Sequence, residues 1–266
     1  MATITLRFYL ELNDFLPSER RQGDWVRPFQ PPAPARHVIE TCGVPHTEVE
    51  LILRGGESIG LDAPVGEGDR LAVYPMFETF DVRPLLRLRT RPLRRPRFVA
   101  DAHLGALARR LRLLGFDTLW HNDLGDQALA RLAAKEQRVL LTRDRQLLMR
   151  QAVTHGCYLR ADSTPAQLAE LIQRLQLCAD ITPFTPFTRC NGLLEPAAPD
   201  AVASQIPPRV LERHRAFWRC QGCGRVYWKG THWEALRRQV ATLCPSEPQP
   251  GDGAQPSLAN RRATAS

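Results

Sequence analysis

Residues 97–145 read RFVADAHLGALARRLRLLGFDTLWHNDLGDQALARLAAKEQRVLLTRDR, and the spacing of apolar residues in this run decides the architecture. Phe98 to Ala100 is a short apolar string that ends in Asp101. Leu104, Leu107, Ala108, Leu111 and Leu114 then recur at helical spacing, and Gly115 stops the helix. A second string, Phe116 to Trp120, leads to Asp123 and Asp126. Leu129, Leu132 and Ala133 follow at helical spacing, before a third string, Val139 to Thr142, that runs into Asp144. Strands alternating with amphipathic helices predict crossover connections, a parallel sheet and helices on both of its faces. Ligands bind such sheets outside the carboxyl ends of the strands, so Asp101, Asp126 and Asp144 are expected along one edge.

Carboxylates gathered at one place raise one another's pKa unless a positive charge sits among them. All-oxygen ligation suits Mg²⁺ or Mn²⁺, so these three acids are the candidate ligands of a hard divalent cation. Taken singly each has a plainer reading, Asp126 as a helix cap and Asp101 and Asp144 as strand-end turn residues.

Two runs, FVADAHLGALARRLRLLGFDT and LLTRDRQLL, with DQAL between them, resemble the PIN-like RNase domain at the C-terminus of the Mut-seven exonuclease family. The resemblance covers about residues 97–235. It implies a metal-dependent ribonuclease whose acids map onto Asp101, Asp126 and Asp144. A fourth acid, Asp162, follows the next strand signal, Cys157 to Arg160; its plainer reading is a turn residue ahead of a helix. Thr164-Pro165-Ala166-Gln167 reads as a capping box opening that helix, with Leu168, Leu171, Ile172 and Leu175 on one face. Arg143 and Arg145 flank Asp144 and are candidate phosphate ligands, or plain surface arginines.

Composition bounds the rest. The chain has 266 residues, 43% of them hydrophobic, enough for a core in one large or two modest domains. A formal charge of +8 favours a polyanionic partner such as RNA, single-stranded by preference, though solubility alone also explains it. The N-terminus shows no cationic segment followed by a long apolar run, and no stretch has the length of a membrane span, which predicts a cytoplasmic protein with no membrane partner. Seven cysteines without a signal segment, two of them in a C-x-x-C pair, argue for metal rather than disulfides.

Residues 1–80 form the first unit. Ile4, Leu6 and Phe8 alternate with Thr5, Arg7 and Tyr9 as a half-buried strand, Arg36 to Cys42 is a short helix, and Val49 to Leu53 and Leu71 to Tyr74 are further strands. This α+β order resembles the ubiquitin-like sulfur carriers. RFYLELNDFL, GVPHTEVELIL and GDRLAVYPMFE are similar to the ubiquitin-like (β-grasp) module that precedes this RNase domain in some proteins. The carriers need a free C-terminal Gly-Gly, whereas Gly55-Gly56 is internal and reads as a turn. The module is therefore expected to bind a protein partner and to do no chemistry. Residues 22–35 read as a Pro-rich loop within it.

Residues 81–96 are a basic linker, with no acidic residue from Val82 to Pro96, in which Arg89, Arg94 and Arg95 are candidate contacts to RNA phosphates; the plainer reading is a solvated spacer. The α/β unit proper spans residues 97–180. In residues 181–245, Cys220-Gln221-Gly222-Cys223 is a knuckle whose two thiolates can grip one Zn²⁺. The resemblance implies a second C-x-x-C upstream, and this chain has only Cys190 there, so the fourth ligand is open. His232 is the nearest candidate, with Cys244 and His214 behind it, and an open position or loss of metal are the alternatives. Trp218, Tyr227, Trp228 and Trp233 are assigned to the small core of this zinc-ribbon-like extension, and residues 246–266 to a disordered tail. Together the reading is a metal-dependent ribonuclease in three parts; the alternative is a non-catalytic RNA-binding or protein-interaction adaptor built on the same domain.

Overall fold

The computed structural model describes residues 1–75, 96–182 and 190–244, the His232 side chain excepted. The alternation of Ile4, Leu6 and Phe8 builds β1 (Ala2–Phe8), with those three side chains buried on one face. After it come β2 (Trp25–Phe29), β3 (Ala33–Pro34), α1 (Ala35–Glu40), β4 (Leu51–Arg54), β5 (Glu57–Ile59), β6 (Pro64–Val65) and β7 (Arg70–Tyr74). The main sheet has the order β2-β1-β7-β4-β5, with β1 and β7 parallel at its centre and the other pairs antiparallel. Val38 and Ile39 of α1 pack against its inner face, so the unit is the mixed ubiquitin-like sheet expected.

Two strands, β2 and the two-residue β3, lie in the stretch 22–35 expected to be a loop. Residues 25–29, read as part of a loop, are the edge strand β2. Its alternation is real, since Trp25 and Phe29 pack on the core while Val26 points outward at 62% exposure. Pro28 disguises the pattern, and it is tolerated because an edge strand has one side free of ladder bonds.

The second unit comprises β8 (Phe98–Ala100), α2 (Gly105–Leu113), β9 (Thr118–Trp120), α3 (Asp126–Glu136), β10 (Val139–Thr142), α4 (Arg145–Leu148), β11 (Gly156–Tyr158) and α5 (Thr164–Arg174). Its four strands are all parallel, in the order β11-β10-β8-β9. Successive residues face opposite layers. Phe98, Ala100, Val139 and Leu141 pack with α2 and α5, whereas Val99 and Leu140 pack with α3 and α4. Ser163, rather than Thr164, caps α5, because its hydroxyl accepts from the Ala166 amide at 3.4 Å.

The two units share a polar seam. His46 reaches the Val153 carbonyl at 2.7 Å, and Glu48, its side chain 1% exposed, accepts from the Tyr158 amide at 2.6 Å and pairs with the guanidinium of Arg174. Gly156 lets the units approach closely there: a Cβ would lie 2.4 Å from the Leu148 Cδ2 methyl, which would have to move, and 3.2 Å from the Thr47 hydroxyl.

The third unit contains β12 (Leu194–Ala197), α6 (Pro199–Val202), α7 (Pro208–Arg213), β13 (Phe217–Cys220), β14 (Val226–Tyr227) and α8 (Thr231–Leu243). Three antiparallel strands in the order β12-β13-β14 enclose a small core of Val202, Ile206 and Phe217, with Trp228 against it. Trp233 is not part of that core. It lies on α8, which returns to the second unit with Leu236, Val240 and Leu243. A disulfide, Cys178–Cys244, ties the end of this helix down. The expectation of metal in place of disulfides is thus corrected for this pair, whose partners lie 66 residues apart in sequence. Among the described residues no helix is long and apolar enough to cross a membrane.

Candidate functional site

The parallel sheet reverses its strand order at β8. The chain leaves β8 through α2 to β9 on one side, then crosses through α3 on the opposite face to reach β10 on the other side. A crevice opens at such a switch point, at the carboxyl ends of the two diverging strands. Asp101 follows β8 and Asp144 follows β10, so both lie at its mouth. Thr142, fully buried at the end of β10, links them: its hydroxyl donates to Asp101 Oδ2 at 2.7 Å and accepts from the Asp144 amide at 3.0 Å. Asp101 Oδ1 accepts from the Ala102 amide at 2.6 Å, and Asp144 Oδ1 caps α4 by accepting from the Gln146 amide at 2.8 Å. Asp144 Oδ2 has no hydrogen-bond partner among the described residues.

The other two candidate acids stand differently. Asp126 lies in the first turn of α3, behind the capping Gly125, and pairs with Arg150 at 3.4 Å. Asp162 is exposed and pairs with Arg143 at 2.5 Å. Among the described residues no three of these carboxylates come within 4.8 Å of one another; the cysteine set does. The structure therefore joins Asp101 and Asp144 and leaves Asp126 and Asp162 with arginines. The donors are all hard oxygens, which fit Mg²⁺ or Mn²⁺. Arg145 lies against the first unit, its guanidinium over the Phe15 and Tyr158 rings. Arg89, Arg94 and Arg95 fall outside the described residues.

Cys190, Cys220 and Cys223 converge, their sulfurs all within 4.8 Å and Cys190 to Cys220 at 3.3 Å. Cys220 closes β13, and the Gly224 amide donates to its carbonyl at 2.9 Å in a turn whose φ of +69° suits glycine. Gly192 leaves room for the sulfurs, because a Cβ would come within 2.9 Å of Cys220 Sγ and 3.3 Å of Cys190 Sγ. Soft thiol donors in this packing fit Zn²⁺. Cys244 is excluded as the fourth donor by its disulfide, His214 is not in the group, and the His232 side chain lies outside what is described.

Sequence reasoning missed the bracket that holds this cluster to the sheet. Asn191, beside Cys190, accepts from the Thr118 amide at 3.0 Å and donates to Asp117 at 2.6 Å. Asp117 is gripped by Arg138 through two bonds of 2.6 and 2.9 Å. Burial alone would push the Asp117 carboxyl up, but the Arg138 and Asn191 hydrogen bonds overcome it and hold the group below its ordinary value. A depressed carboxyl stabilises the fold above the unfolded value and loses that contribution as pH falls through the folded one. Asp117→Asn is accordingly expected to lower stability at neutral pH and to flatten its decline below about pH 4. Urea titrations at a series of pH values check this; a parallel decline in both proteins would contradict it.

Comparison with known protein families adds two matches. Residues 96–240 match the model of the Mut7-C RNAse domain, and residues 1–81 that of the Mut7-C ubiquitin module. No curated protein and no solved structure matches the chain.

Proposed function

Since the chain belongs to the Mut7-C RNAse domain family, with a Mut7-C ubiquitin module ahead of that domain, we propose that it is a metal-dependent ribonuclease acting on single-stranded RNA at the switch-point crevice. The observation that carries this reading is the Asp101–Thr142–Asp144 link. The Asp101 carboxylate is held by the buried Thr142 hydroxyl, and Asp144 is tied to the same hydroxyl through its backbone amide, so both acids are fixed at one point without a cation from the described residues to neutralise them. Asp101 and Asp144 would hold Mg²⁺ or Mn²⁺, with Asp126 joining them on release from Arg150 and Asp162 at the rim. When bound, such a cation screens the phosphate charge and acidifies the attacking water. Asp144 Oδ2, the oxygen without a partner, orients that water, and Arg143 and Arg145 receive phosphate oxygens. Hydrolysis on these terms does not involve the 2′-OH, so the preference for RNA rests on the family. The basic linker with Arg89, Arg94 and Arg95 would guide the strand toward Asp101.

A labelled single-stranded RNA incubated with the full chain and Mn²⁺, beside an EDTA control, tests the reading. Metal-dependent cleavage is expected; binding without cleavage would favour the non-catalytic alternative.

The cysteine set is proposed to hold one structural Zn²⁺ through Cys190, Cys220 and Cys223. Protein purified without added metal is expected to contain about one zinc per chain, and Cys220→Ser with Cys223→Ser to contain none. With three thiolates the ion should leave to a chelator more readily than from a four-cysteine site. Elemental analysis decides: zinc that is absent from the parent, or retained by the double variant, removes the assignment.

A further inference from the structure

The first unit touches the residue that follows Asp144 through Phe15. Phe15 ends the turn Leu10–Phe15 and is itself 5% exposed. That turn is pinned from within by Asn13, whose amide donates to the Phe8 carbonyl at 2.9 Å and the Leu10 carbonyl at 3.0 Å and accepts from the Gln22 amide at 2.7 Å. Against the fixed ring lie two guanidinium groups from the second unit. Arg145 and Arg160 each stand 5.0 Å from the Phe15 centroid, and 5.5 and 6.0 Å from that of Tyr158. Phe15 and Tyr158 meet edge to face at 5.4 Å, so the rings form one platform across the seam.

The two arginines differ in charge balance. Arg160 is surrounded by carboxylates, Asp14 at 3.3 Å, Glu170 at 3.6 Å and Glu48 at 3.9 Å. Arg143, on the other side of Asp144, is matched by Asp162. Arg145 makes no ion pair among the described residues. Among the described residues its guanidinium makes one hydrogen bond, to the Phe15 carbonyl, long at 3.4 Å. It is exposed, and it directly follows Asp144. A guanidinium stacked on aromatic faces keeps its edge N–H groups free, in a plane that matches phosphate oxygens, and gives up little further freedom on binding.

We propose that Phe15 positions Arg145 as a phosphate-binding arm beside Asp144, so that the ubiquitin-like module completes the nucleic-acid site of the nuclease domain. The proposal rests on the RNA reading above and gives the module a role within its own chain. Phe15 is a positioning residue, acting through Arg145.

The test measures binding of a fluorescein-labelled single-stranded oligouridylate to the full chain in EDTA, by anisotropy over a series of salt concentrations. Phe15→Leu keeps the apolar bulk and removes the ring, whereas Phe15→Tyr keeps the ring. The leucine variant is expected to bind about tenfold more weakly, the loss of one charge-assisted contact, with a log–log salt slope reduced by up to about 0.7. The tyrosine variant should retain parental affinity and slope, and Phe15→Leu should add nothing in an Arg145→Gln background. A folded leucine variant with parental affinity and slope overturns the proposal. Should that variant not fold, Arg145→Lys, which keeps the charge but not the planar stack, takes its place: weakened binding supports the platform, and parental binding overturns it. If binding changes as expected while the parent shows no cleavage with Mn²⁺, the nuclease reading fails and the positioning role stands.

Discussion

Asp144→Asn is expected to reduce RNA cleavage to the level seen in EDTA while the protein stays folded and binds RNA at least as tightly as before. The amide oxygen still caps α4, since asparagine serves at a helix N-cap as well as aspartate, so the turn that carries Arg145 persists. What disappears is one negative charge facing a hard cation, and such ions depend on that charge. Altering a residue that merely supports a ligand costs 10–100-fold in metal affinity or activity, so the loss of a ligand itself should exceed about 100-fold. Cleavage of labelled RNA in Mn²⁺ measures it. A variant that cuts at the parental rate would show that Asp144 has no part in the site.

Glu48→Gln should have the largest effect on stability. Its carboxylate is buried at the seam against Arg174, with Arg160 at 3.9 Å and the Tyr158 amide at 2.6 Å. Arg174 is itself mostly enclosed; burial alone would lower its pKa, but Cys157 and Glu48 raise it instead. Removing Glu48 leaves the mostly buried Arg174 with Glu170 alone, at 3.4 Å, and breaking a buried pair in this way costs up to about 3–5 kcal/mol. The pair Arg36–Asp62, at 3.5 Å with the carboxylate side chain 87% exposed, provides the contrast: Asp62→Asn should change stability by less than about 1 kcal/mol. Urea unfolding of the three proteins tests both statements. If Glu48→Gln unfolds within 1 kcal/mol of the parent, the seam is not held by this ion set. The parent should unfold in one transition, because the two units share buried charges.

What could be read in advance followed the range of the interactions concerned. Phe98 to Ala100 and Val139 to Thr142 declared themselves as strands because their apolar strings and the helical spacing between them are local. The ends of those strands placed Asp101 and Asp144 at one sheet edge. Their actual link, Thr142, was hidden, since a threonine at a strand end is unremarked until its hydroxyl is seen between two acids. Asp126 and Asp162 followed the same pattern and yet stand with Arg150 and Arg143; spacing reports which edge a residue occupies and not its side-chain partner. Glu48 gave no signal at all, because the residues that make its burial possible lie 110 and 126 positions away. The Cys220–Cys223 knuckle was legible from its short spacing, whereas Cys178–Cys244 depends on where α8 returns.

That return changes how the chain can be divided. The last helix lays Leu236, Val240 and Leu243 against the core built by α2 and α5; Gln239 accepts from Arg110 at 2.8 Å and donates to the Pro165 carbonyl at 2.9 Å. The strands β12, β13 and β14 are therefore an excursion out of the parallel-sheet domain that begins and ends on it, rather than an appendage at its end. A truncation at residue 181, where a linear reading places the boundary, would amputate a wall of the core along with the excursion. Shortening the chain between residues 182 and 231 while retaining α8 respects the body as it is folded.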